Sequence, residues 1–325
     1  MRLLVTGGAG YIGSIVARHL LAGGHEVVVL DNLSRGHRQA VPDGAELIIV
    51  DLLDREVVRS AVDGGFDAVL HFAALSLVGE SGTHPEIYYE TNVGGTLNLL
   101  EAMRSAQVRK LVFSSTAAVY GEPEEVPIPE TSPPLPTNTY GRSKLAVDWM
   151  IGDYCRAHDL GAVSLRYFNV AGASGGLGED HHPETHLIPN ILRVALGANR
   201  FVEIFGTDYD TPDGTAIRDY IHIDDLADAH VLALGATEPG RHRIFNLGNG
   251  TGFSVREVVR AAGEVTGREI HAREAPRRQG DPPKLVASSE LIREELGWKP
   301  RKPSLEDMVG DAWAFARAHP NGYGD

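Results

Sequence analysis

The glycine-rich segment at residues 7–13, Gly-Gly-Ala-Gly-Tyr-Ile-Gly, constrains the fold of this chain more than any other feature of its sequence. It follows the apolar run Arg2–Thr6 and precedes apolar residues at helical spacing from Ile15 onward. The glycines fit the pattern G-x-G-x-x-G, in which they permit a tight turn and let the backbone approach a pyrophosphate closely. The helix that follows offers its N–H groups and the positive end of its dipole to phosphates. The segment therefore predicts a strand, a turn and a helix that bind a dinucleotide.

The acidic residue after the second predicted strand, residues 26–30, indicates which dinucleotide binds. An acid at this place, here Asp31, accepts hydrogen bonds from a ribose 2′-hydroxyl and repels a 2′-phosphate. Arg35 and Arg38 follow closely and would soften that preference. The sequence therefore favours NAD over NADP as the cofactor.

Strand and helix patterns then alternate along the chain. The strand candidates are residues 46–50, 67–72, 110–115 and 162–167, and the helix candidates are residues 54–62, 85–105 and Thr139–His158. Alternation of this kind predicts an α/β fold with a Rossmann-type, doubly wound parallel sheet. Ligands of such sheets bind beyond the carboxyl ends of the strands. We therefore expect one crevice to be lined, beside the glycine turn, by Asp51, Leu52, Phe72, Ala73, Ala74, Leu75, Ser114, Ser115 and Thr116.

The composition of the sequence and the length of its predicted elements change beyond residue 168. Strand and helix candidates become shorter there, and glycine, proline and histidine become frequent. The length of the chain also allows two lobes. We predict a first domain over residues 1–168 and a smaller C-terminal α/β lobe over residues 169–325, with segments around 218–246 as candidates to return to the first domain.

Tyr140 and Lys144 place a phenol and an ammonium on one face of the helix predicted over Thr139–His158, with Cβ atoms about 5–6 Å apart. A free tyrosine has a pKa of about 10, and lowering it by about 3 units requires roughly 4 kcal/mol in favour of the phenolate. A cation about 5 Å away, at an effective dielectric constant near 20, supplies on the order of 3 kcal/mol. An oxidised nicotinamide could supply the remainder. The pair predicts a base that removes a hydroxyl proton while a hydride leaves the same carbon; the alternative is a surface tyrosine with a neighbouring lysine.

Composition excludes several classes of function. The formal charge of −14 argues against nucleic acid as a partner. The apolar stretch at the start of the sequence ends at glycines, and no run of 18 apolar residues exists, so we expect neither a secretion signal nor a membrane partner. The single cysteine, Cys155, is interpreted as a small buried hydrophobe. These features predict a cytoplasmic enzyme.

Two further segments are interpreted as loops. His181-His182-x-x-x-His186 has the composition of a metal site, but it lacks a partnering carboxylate at a helical position and Pro183 disrupts any helix there. We predict a polar loop over the active site and no metal. The proline-rich residues 126–136 precede Tyr140 and are interpreted as a loop that flanks the site, with a polyproline ligand for another protein as the alternative.

The order of these motifs resembles the extended short-chain dehydrogenase/reductase family, and more closely its UDP-glucose (UDP-galactose) 4-epimerases. The resemblance runs nearly end to end and includes Tyr167-Phe-Asn169, Ile204-Phe-Gly206, Asp213-Gly-Thr, Arg218-Asp-Tyr-Ile-His222, Asn246-Leu-Gly248 and Arg277-Arg-Gln-Gly-Asp281. It implies a Rossmann domain with a smaller lobe that holds a nucleotide sugar. It also implies that NAD stays tightly bound and is regenerated within each turnover.

The resemblance implies a role for each matching residue. Tyr140 is the base, Lys144 lowers its pKa and binds the nicotinamide ribose, and Thr116 hydrogen-bonds the sugar C4 oxygen. The implied NAD contacts are, together with Tyr140 and Lys144, Gly7, Gly10, Tyr11, Ile12, Gly13, Asp31, Asn32, Asp51, Leu52, Phe72, Ala73, Ala74, Asn92 and Phe168. The implied substrate contacts are Asn169, Arg218, Arg278 and Asp281 on the nucleotide half, Glu203, Ile204 and Phe205 near the uracil, and Leu285 near the sugar.

Two positions depart from the best-known bacterial form of the family. Ser76 stands where that form has a lysine near the cofactor, so that charge contact is absent. Leu285 stands where a bulky tyrosine or a small cysteine limits the room for a sugar N-acetyl group. Leucine is intermediate in size, and acceptance of N-acetylated sugars is left open.

The implied reaction is the reversible epimerisation of UDP-galactose and UDP-glucose at C4 through a transient 4-keto sugar, with the hydride returned to the opposite face. Thr116 is followed by Ala117 and Ala118, which carry no titratable group. This disfavours the related 4,6-dehydratases and decarboxylases, whose chemistry needs an acid or base there. The alternatives are a C4 epimerase of a UDP-N-acetylhexosamine or a UDP-pentose, a nucleotide-sugar 4,6-dehydratase, and a non-catalytic NAD sensor.

Two predicted helices have apolar faces wider than one core stripe requires. The apolar residues are Leu97, Leu99, Leu100 and Met103 on the first helix, and Val147, Met150, Ile151, Tyr154 and Cys155, with Trp149 on another flank, on the second. The family resemblance favours a homodimer through paired helices. The alternative is burial on both sides within one subunit.

Overall fold

The computed structural model describes residues 1–278 and 281–324. The strands in these residues are β1 (Arg2–Thr6), β2 (Glu26–Asp31), β3 (Glu46–Ile49), β4 (Ala68–His71), β5 (Lys110–Ser114), β6 (Gly161–Tyr167), β7 (Asn169–Ala171), β8 (Val202–Phe205), β9 (Ile217–Arg218), β10 (Tyr220–His222), β11 (His242–Leu247), β12 (Phe253–Ser254), β13 (Ala272–Ala275), β14 (Lys284–Leu285) and β15 (Pro320–Tyr323).

The α-helices in the same ranges are α1 (Tyr11–Ala22), α2 (Arg55–Val62), α3 (Val78–Thr83), α4 (Pro85–Tyr88), α5 (Gly95–Ser105), α6 (Thr139–His158), α7 (Leu187–Ala195), α8 (Ile223–Gly235), α9 (Val255–Thr266), α10 (Glu290–Leu296) and α11 (Leu305–Ala318). A π-helical turn, Tyr89–Gly94, joins α4 to α5, and 3₁₀ turns span Arg38–Ala40 and Ala117–Tyr120. None of the helices in the described residues combines the length and hydropathy needed to cross a bilayer.

Seven strands form the main sheet in the order β11-β6-β5-β4-β1-β2-β3, and every neighbouring pair is parallel. The central strands are apolar and buried along almost their whole length, as parallel strands covered on both faces must be. Helices α1 and α8 pack on one face, and α2, α5 and α6 pack on the other. The predicted α/β fold with a doubly wound parallel sheet is confirmed.

The chain returns to this sheet after building part of the C-terminal lobe. β11 pairs with β6, with Phe245 opposite Leu165, and α8 packs against α1. Residues 223–247 therefore lie in the layers of the main sheet. The division into domains at residue 168 stays a prediction.

The C-terminal lobe has a core of its own. The apolar faces of α7, α9 and α11 meet around Ile191, Val258 and Met308. Three short sheets pair β7 with β10, β8 with β13, and β9 with both β12 and β14. These short sheets carry most of the residues predicted to contact a substrate.

The helix predicted over residues 85–105 is a continuous helical stretch, but its middle turn is π-helical. Asn92 lies in this turn and is only 1% exposed. Single π-helical turns inside helices are frequent at functional sites. The spacing of apolar residues in the sequence does not reveal such a turn. The π-helical turn adds one residue to a helical repeat that otherwise continues on both sides.

Candidate active site

The glycine turn has the geometry that a pyrophosphate requires. Gly7 has a φ of +71°, and a Cβ there would lie 2.8 Å from the carbonyl carbon of Phe72. A Cβ on Gly13 would collide with the carbonyl oxygen of Gly7. α1 begins directly after Gly10, without an acidic residue in its first turn and without a side chain that caps it. Its N–H donors and its dipole therefore favour an anion, and the turn fits the phosphates of NAD.

Asp31 is 7% exposed at the carboxyl end of β2. Its Oδ2 accepts a hydrogen bond from the Ala9 amide at 3.0 Å, and its Oδ1 accepts one from the Leu33 amide at 2.8 Å. Burial raises the pKa of this carboxyl, and the two amide bonds act in the opposite direction. Each oxygen of a carboxylate can accept a further bond, so Asp31 can still accept from a ribose hydroxyl. Asn32 donates to Asp51 at 2.9 Å, which brings two further predicted NAD contacts alongside.

Arg35 does not compete for this position. Its guanidinium pairs with Glu80 at 2.9 Å and donates to the carbonyl oxygen of His182 at 2.7 Å. The positive charge of Arg35 is therefore already paired with Glu80.

Asn92 connects two of the segments that line the crevice. Its Oδ1 accepts from the Leu75 amide at 2.8 Å, and its Nδ2 donates to the Leu75 carbonyl and to Ser143 Oγ, each at 3.0 Å. Both of its N–H donors are thus used to tie the loop after β4 to α6. A direct contact between Asn92 and NAD stays a prediction, and it would have to use the remaining acceptor capacity of Oδ1.

Tyr140 lies in the first turn of α6, which the Asn138 side chain caps by accepting a hydrogen bond from the Gly141 amide at 2.8 Å. Burial raises the pKa of the Tyr140 phenol, and a hydrogen bond with the Thr116 side chain opposes that rise. Thr116 is 7% exposed, and its hydroxyl oxygen also accepts from the Ala118 amide at 3.1 Å. The structure therefore brings the predicted base and the predicted sugar-binding hydroxyl together beyond the end of β5.

Lys144 is 3% exposed, and its Nζ donates to the carbonyl oxygen of Ser114 at 2.8 Å. Nζ also lies 4.7 Å from the centre of the Phe113 ring. Burial lowers the pKa of Lys144 to about 8, and the charge of Asp148 opposes this shift. The helical spacing of Tyr140 and Lys144 predicts a lowered pKa for the phenol. In the protein alone the pKa of Tyr140 is instead raised, because burial of the phenol is the larger effect.

A buried ion pair that the sequence analysis missed lies next to Lys144. Asp148, one helical turn further along α6, accepts from Arg166 at 2.8 Å, and the two side chains are 2% and 5% exposed. Ser115 also donates to Asp148 at 3.2 Å. The spacing of Lys144 and Asp148 on one helix face was an available signal. Arg166 lies on β6, and spacing along the chain could not assign it as the partner.

The predicted substrate residues form two groups. Arg218 forms an ion pair with Asp281, and the pairing of β9 with β14 places Leu285 opposite Arg218. The guanidinium of Arg278 lies 4.0 Å from the centre of the Phe205 ring, on β8. Arg278 thus supplies positive charge beside Phe205, whereas the charge of Arg218 is paired with Asp281.

Leu285 also connects this lobe to the catalytic candidates. It packs, with Phe168, against the apolar cluster of Ala117, Val119, Tyr120, Ile128 and Leu145. Ala117 directly follows Thr116, so the size of the residue at position 285 affects the space near the predicted sugar site.

Other predicted contacts are engaged within the lobe. Glu203 pairs with Arg273, Ile204 is 3% exposed, and Asn169 donates to the carbonyl oxygen of Asp219 at 3.1 Å. Their contacts with a nucleotide stay predictions.

Asp219 holds the C-terminal lobe together, and the sequence analysis gave it no role. It is fully buried, and its carboxylate accepts from the amides of Asn249, Gly250 and Ala287 at 2.6, 3.2 and 3.0 Å. Burial raises the pKa of Asp219 to about 6, and these amides oppose the shift. The carboxylate thereby orients the turn after β11 and the chain after β14 beside Arg218.

A doubly wound sheet with a phosphate-binding glycine turn, a threonine beyond the end of β5, and a tyrosine and a lysine on α6 defines an NAD-dependent enzyme of the short-chain dehydrogenase/reductase type. The chain belongs to the NAD dependent epimerase/dehydratase family, whose model matches residues 3–248.

The similarity to individual members covers the whole chain. It is 56% identical over 326 residues to a UDP-glucose 4-epimerase of Streptomyces lividans, covering 100% of this chain and 98% of that protein. A UDP-glucose 4-epimerase structure from Brucella ovis in complex with NAD is 44% identical with a TM-score of 0.92, covering 96% and 97% of the two chains. Another, from Bifidobacterium longum in complex with NAD⁺ and UDP, is 37% identical with a TM-score of 0.94, covering 99% and 100%.

Proposed function

We propose that this protein is an NAD-dependent isomerase that interconverts UDP-galactose and UDP-glucose at C4 through a transient 4-keto sugar. The observation that carries the proposal is the placement of the Tyr140 phenol close enough to the Thr116 hydroxyl for that hydroxyl to counter the rise of the phenol pKa. Thr116 lies beyond the end of β5 and is followed by Ala117 and Ala118. The relatives described above support it, because they are UDP-glucose 4-epimerases over their whole length. The Bifidobacterium longum structure supports a uridine nucleotide as the substrate class.

The side chains have distinct tasks in this proposal. Held by the glycine turn and Asp31, NAD would supply a hydride acceptor for C4 of the sugar and a hydride donor for its opposite face. Tyr140 takes the proton of the 4-hydroxyl and gives it back in the second half of the cycle. Thr116 hydrogen-bonds the same oxygen and so holds it near the phenol. Lys144 is proposed to lend positive charge that favours the phenolate. Burial disfavours the phenolate in this site.

The surroundings of Thr116 favour return of the hydride over elimination. Elimination of water across C5 and C6 needs an acid or base next to the sugar. Ala117 and Ala118 have no group that can give or take a proton, and Ala117 is 2% exposed. A 4-keto sugar held here would take its proton from Tyr140, so we expect reduction back to an alcohol.

The C-terminal lobe is proposed to hold the UDP half while the sugar ring turns over between the two hydride transfers. Arg278 provides positive charge for a diphosphate, and Arg218 provides more once the diphosphate takes the place of Asp281 as its partner. A chain with a formal charge of −14 has to supply such charge locally. Leu285 sets the width of the pocket on the sugar side. A C4 epimerase of a UDP-N-acetylhexosamine or a UDP-pentose remains the second candidate, because a leucine leaves intermediate space at that position.

The proposal is tested by a product assay over UDP-hexoses, UDP-N-acetylhexosamines and UDP-pentoses with no added cofactor or reductant. We expect the purified protein to convert UDP-galactose to UDP-glucose and the reverse, reaching the same mixture from either side. Accumulation of a 4-keto-6-deoxy sugar would identify a dehydratase instead. No turnover of any nucleotide sugar would favour a non-catalytic NAD sensor and would contradict the proposal.

We also propose that the protein forms a homodimer through α5 and α6. Much of the wide apolar surface predicted on these helices is buried inside one subunit, as Leu99, Val147 and Ile151 are all fully covered. Leu97 and Trp149 nevertheless stay 42% and 63% exposed. We expect sedimentation equilibrium to give about twice the mass of one chain; a mass near 35.0 kDa would contradict the dimer.

A cytoplasmic location is part of the same proposal. The single cysteine, Cys155, is buried and cannot form an internal disulfide. Burial raises its pKa to about 11, which keeps the thiol protonated and unreactive. The chain therefore gains no stability from an oxidising compartment.

A further inference from the structure

A cluster of two histidines and two glutamates lies in the loop between β7 and α7. One ligand atom from each of Glu179, His181, Glu184 and His186 can be chosen so that all four lie within 4.8 Å of one another. The three histidines of this loop have no partnering carboxylate at helical spacing, and the sequence alone therefore predicts no metal. The loop nevertheless brings the carboxylates of Glu179 and Glu184 to these histidines without forming a helix.

We propose that these four side chains bind one divalent first-row transition cation, and Zn²⁺ in preference to the others. The imidazoles contribute Nδ1 and the glutamates contribute one carboxylate oxygen each. The cation fixes the loop that leads into α7; it takes no part in the chemistry at Tyr140.

The spacing of the ligand atoms fits a small four-coordinate ion. Glu179 Oε1 lies 2.8 Å from His186 Nδ1 and 3.1 Å from His181 Nδ1. Glu184 Oε1 lies 2.9 Å from His186 Nδ1, and Glu184 Oε2 lies 3.9 Å from His181 Nδ1. Bonds of about 2.0–2.2 Å in a tetrahedron place ligand atoms roughly 3.3–3.6 Å apart. These four separations lie on both sides of that range, and all four ligand atoms lie within 4.8 Å of one another, so they have to move only modestly to hold an ion.

The burial of the carboxylates calls for a positive charge. The Glu179 and Glu184 side chains are 9% and 1% exposed. Buried carboxylates are normally paired with a cation or coordinate a metal. Among residues 1–278 and 281–324, every ion pair of these two glutamates is with His181 or His186, and none is with a lysine or an arginine.

A second cluster in the fold provides the contrast. His222, Asp224 and Asp311 also gather possible ligand atoms. There, however, Lys302 Nζ donates to Asp224 at 3.0 Å and to Asp311 at 2.7 Å. The chain supplies its own cation at that place, so we propose no ion there.

The donor set selects the kind of ion. Imidazole nitrogen suits Zn²⁺ and its neighbours, whereas Mg²⁺ and Ca²⁺ prefer oxygen ligands throughout. An ion can also reach the site from solvent, since the His181 and His186 side chains are 28% and 41% exposed. The competing account is a protonated His186 that neutralises the glutamates by itself.

The position of the cluster explains what the ion would stabilise. Arg35 donates to the carbonyl oxygen of His182, and His37 Nε2 lies 3.1 Å from the carbonyl oxygen of Asp180. Both residues belong to the segment after Asp31 in the predicted cofactor site. A metal at the cluster therefore connects the start of α7 in the C-terminal lobe with that segment.

The test uses the full chain with its cofactor bound, treated with a chelator and dialysed. Co²⁺ is then added as a spectroscopic substitute, and Zn²⁺ is added to displace it. The Zn²⁺ that the protein retains after a second dialysis is measured by elemental analysis. We expect one equivalent of Co²⁺ to give the visible bands of a four-coordinate ion, displaced by one equivalent of Zn²⁺. A wild-type protein that shows no such bands, and retains no Zn²⁺ above trace, would overturn the proposal without any variant.

Variants locate the site. His181→Ala and His186→Ala each remove one ligand, and we expect Zn²⁺ affinity to fall by more than about 100-fold, because even indirect partners of a metal site change affinity 10–100-fold. His182→Ala is the matched control. The His182 side chain is 70% exposed, and its Nε2 lies 3.4 Å from the carboxylate of Asp180, which is not one of the four proposed ligands. It should bind Zn²⁺ as the wild type does. Unchanged binding in both ligand variants would mean an adventitious ion elsewhere and would overturn the assignment.

Discussion

Tyr140→Phe is expected to lower turnover of UDP-galactose by about 10²–10⁴-fold, the usual contribution of a positioned acid or base. Phenylalanine keeps the ring that fills the first turn of α6 and removes only the hydroxyl that bonds to Thr116. The fold, the NAD content and the thermal midpoint should therefore stay close to those of the wild type. Initial rates of product formation and the absorbance of bound cofactor measure the two properties in one preparation.

Tyr154→Phe is the matched control for this substitution. Tyr154 lies on the same helix, and its hydroxyl donates to Glu101 at 2.5 Å outside the strand-end crevice. Loss of the Tyr154 hydroxyl should leave the turnover within about a factor of two of the wild-type value. One partly exposed hydrogen bond contributes on the order of 1 kcal/mol to stability and nothing to the chemistry. Near-normal activity of Tyr140→Phe would show that another group is the base.

Arg166→Met is expected to cost about 3–5 kcal/mol of unfolding free energy, because it leaves the buried Asp148 carboxylate without its cation. Arg166 donates to Asp148 Oδ2 through Nε at 3.2 Å and Nη2 at 2.8 Å, and to Tyr120 through Nη1 at 3.0 Å. All three side chains are buried, so water cannot take the place of the guanidinium. Urea unfolding at a fixed NAD concentration measures the loss, since bound ligand itself shifts apparent stability.

The double variant Arg166→Met with Asp148→Leu separates the charge from the packing. Removing both partners of a buried ion pair is often nearly neutral, because the desolvation cost disappears along with the attraction. We expect the double variant to recover most of the stability that Arg166→Met loses. A single variant that loses less than about 1 kcal/mol would contradict the view that this pair holds α6 against β6.

The main sheet and the strand-end crevice were predictable because their signals are local. The glycine turn, the apolar runs of β1 and β2, and the periodicity of Thr139–His158 each lie within one stretch of chain. The helix over Thr139–His158 has the predicted bounds. Parallel topology then brings the strand ends together without further information.

The features that were missed depend on partners far apart in the sequence. Arg166 contacts Asp148 from a different element, and Asp219 accepts from amides in the turn after β11 and in the chain after β14. The pKa of Tyr140 was predicted from a cation at helical spacing, whereas burial proved the larger effect. Burial is a property of the folded chain, and the spacing of two residues does not contain it.

The central claim is that the hydrogen removed from C4 returns to C4. UDP-galactose with deuterium at C4, incubated with the protein in ordinary water, tests it directly by mass spectrometry and proton NMR of the UDP-glucose formed. Because the transferred hydrogen never meets solvent in this account, nearly all of the deuterium should be found at C4 of the product. Replacement of that deuterium by solvent hydrogen would contradict hydride return and indicate proton exchange at C4 instead.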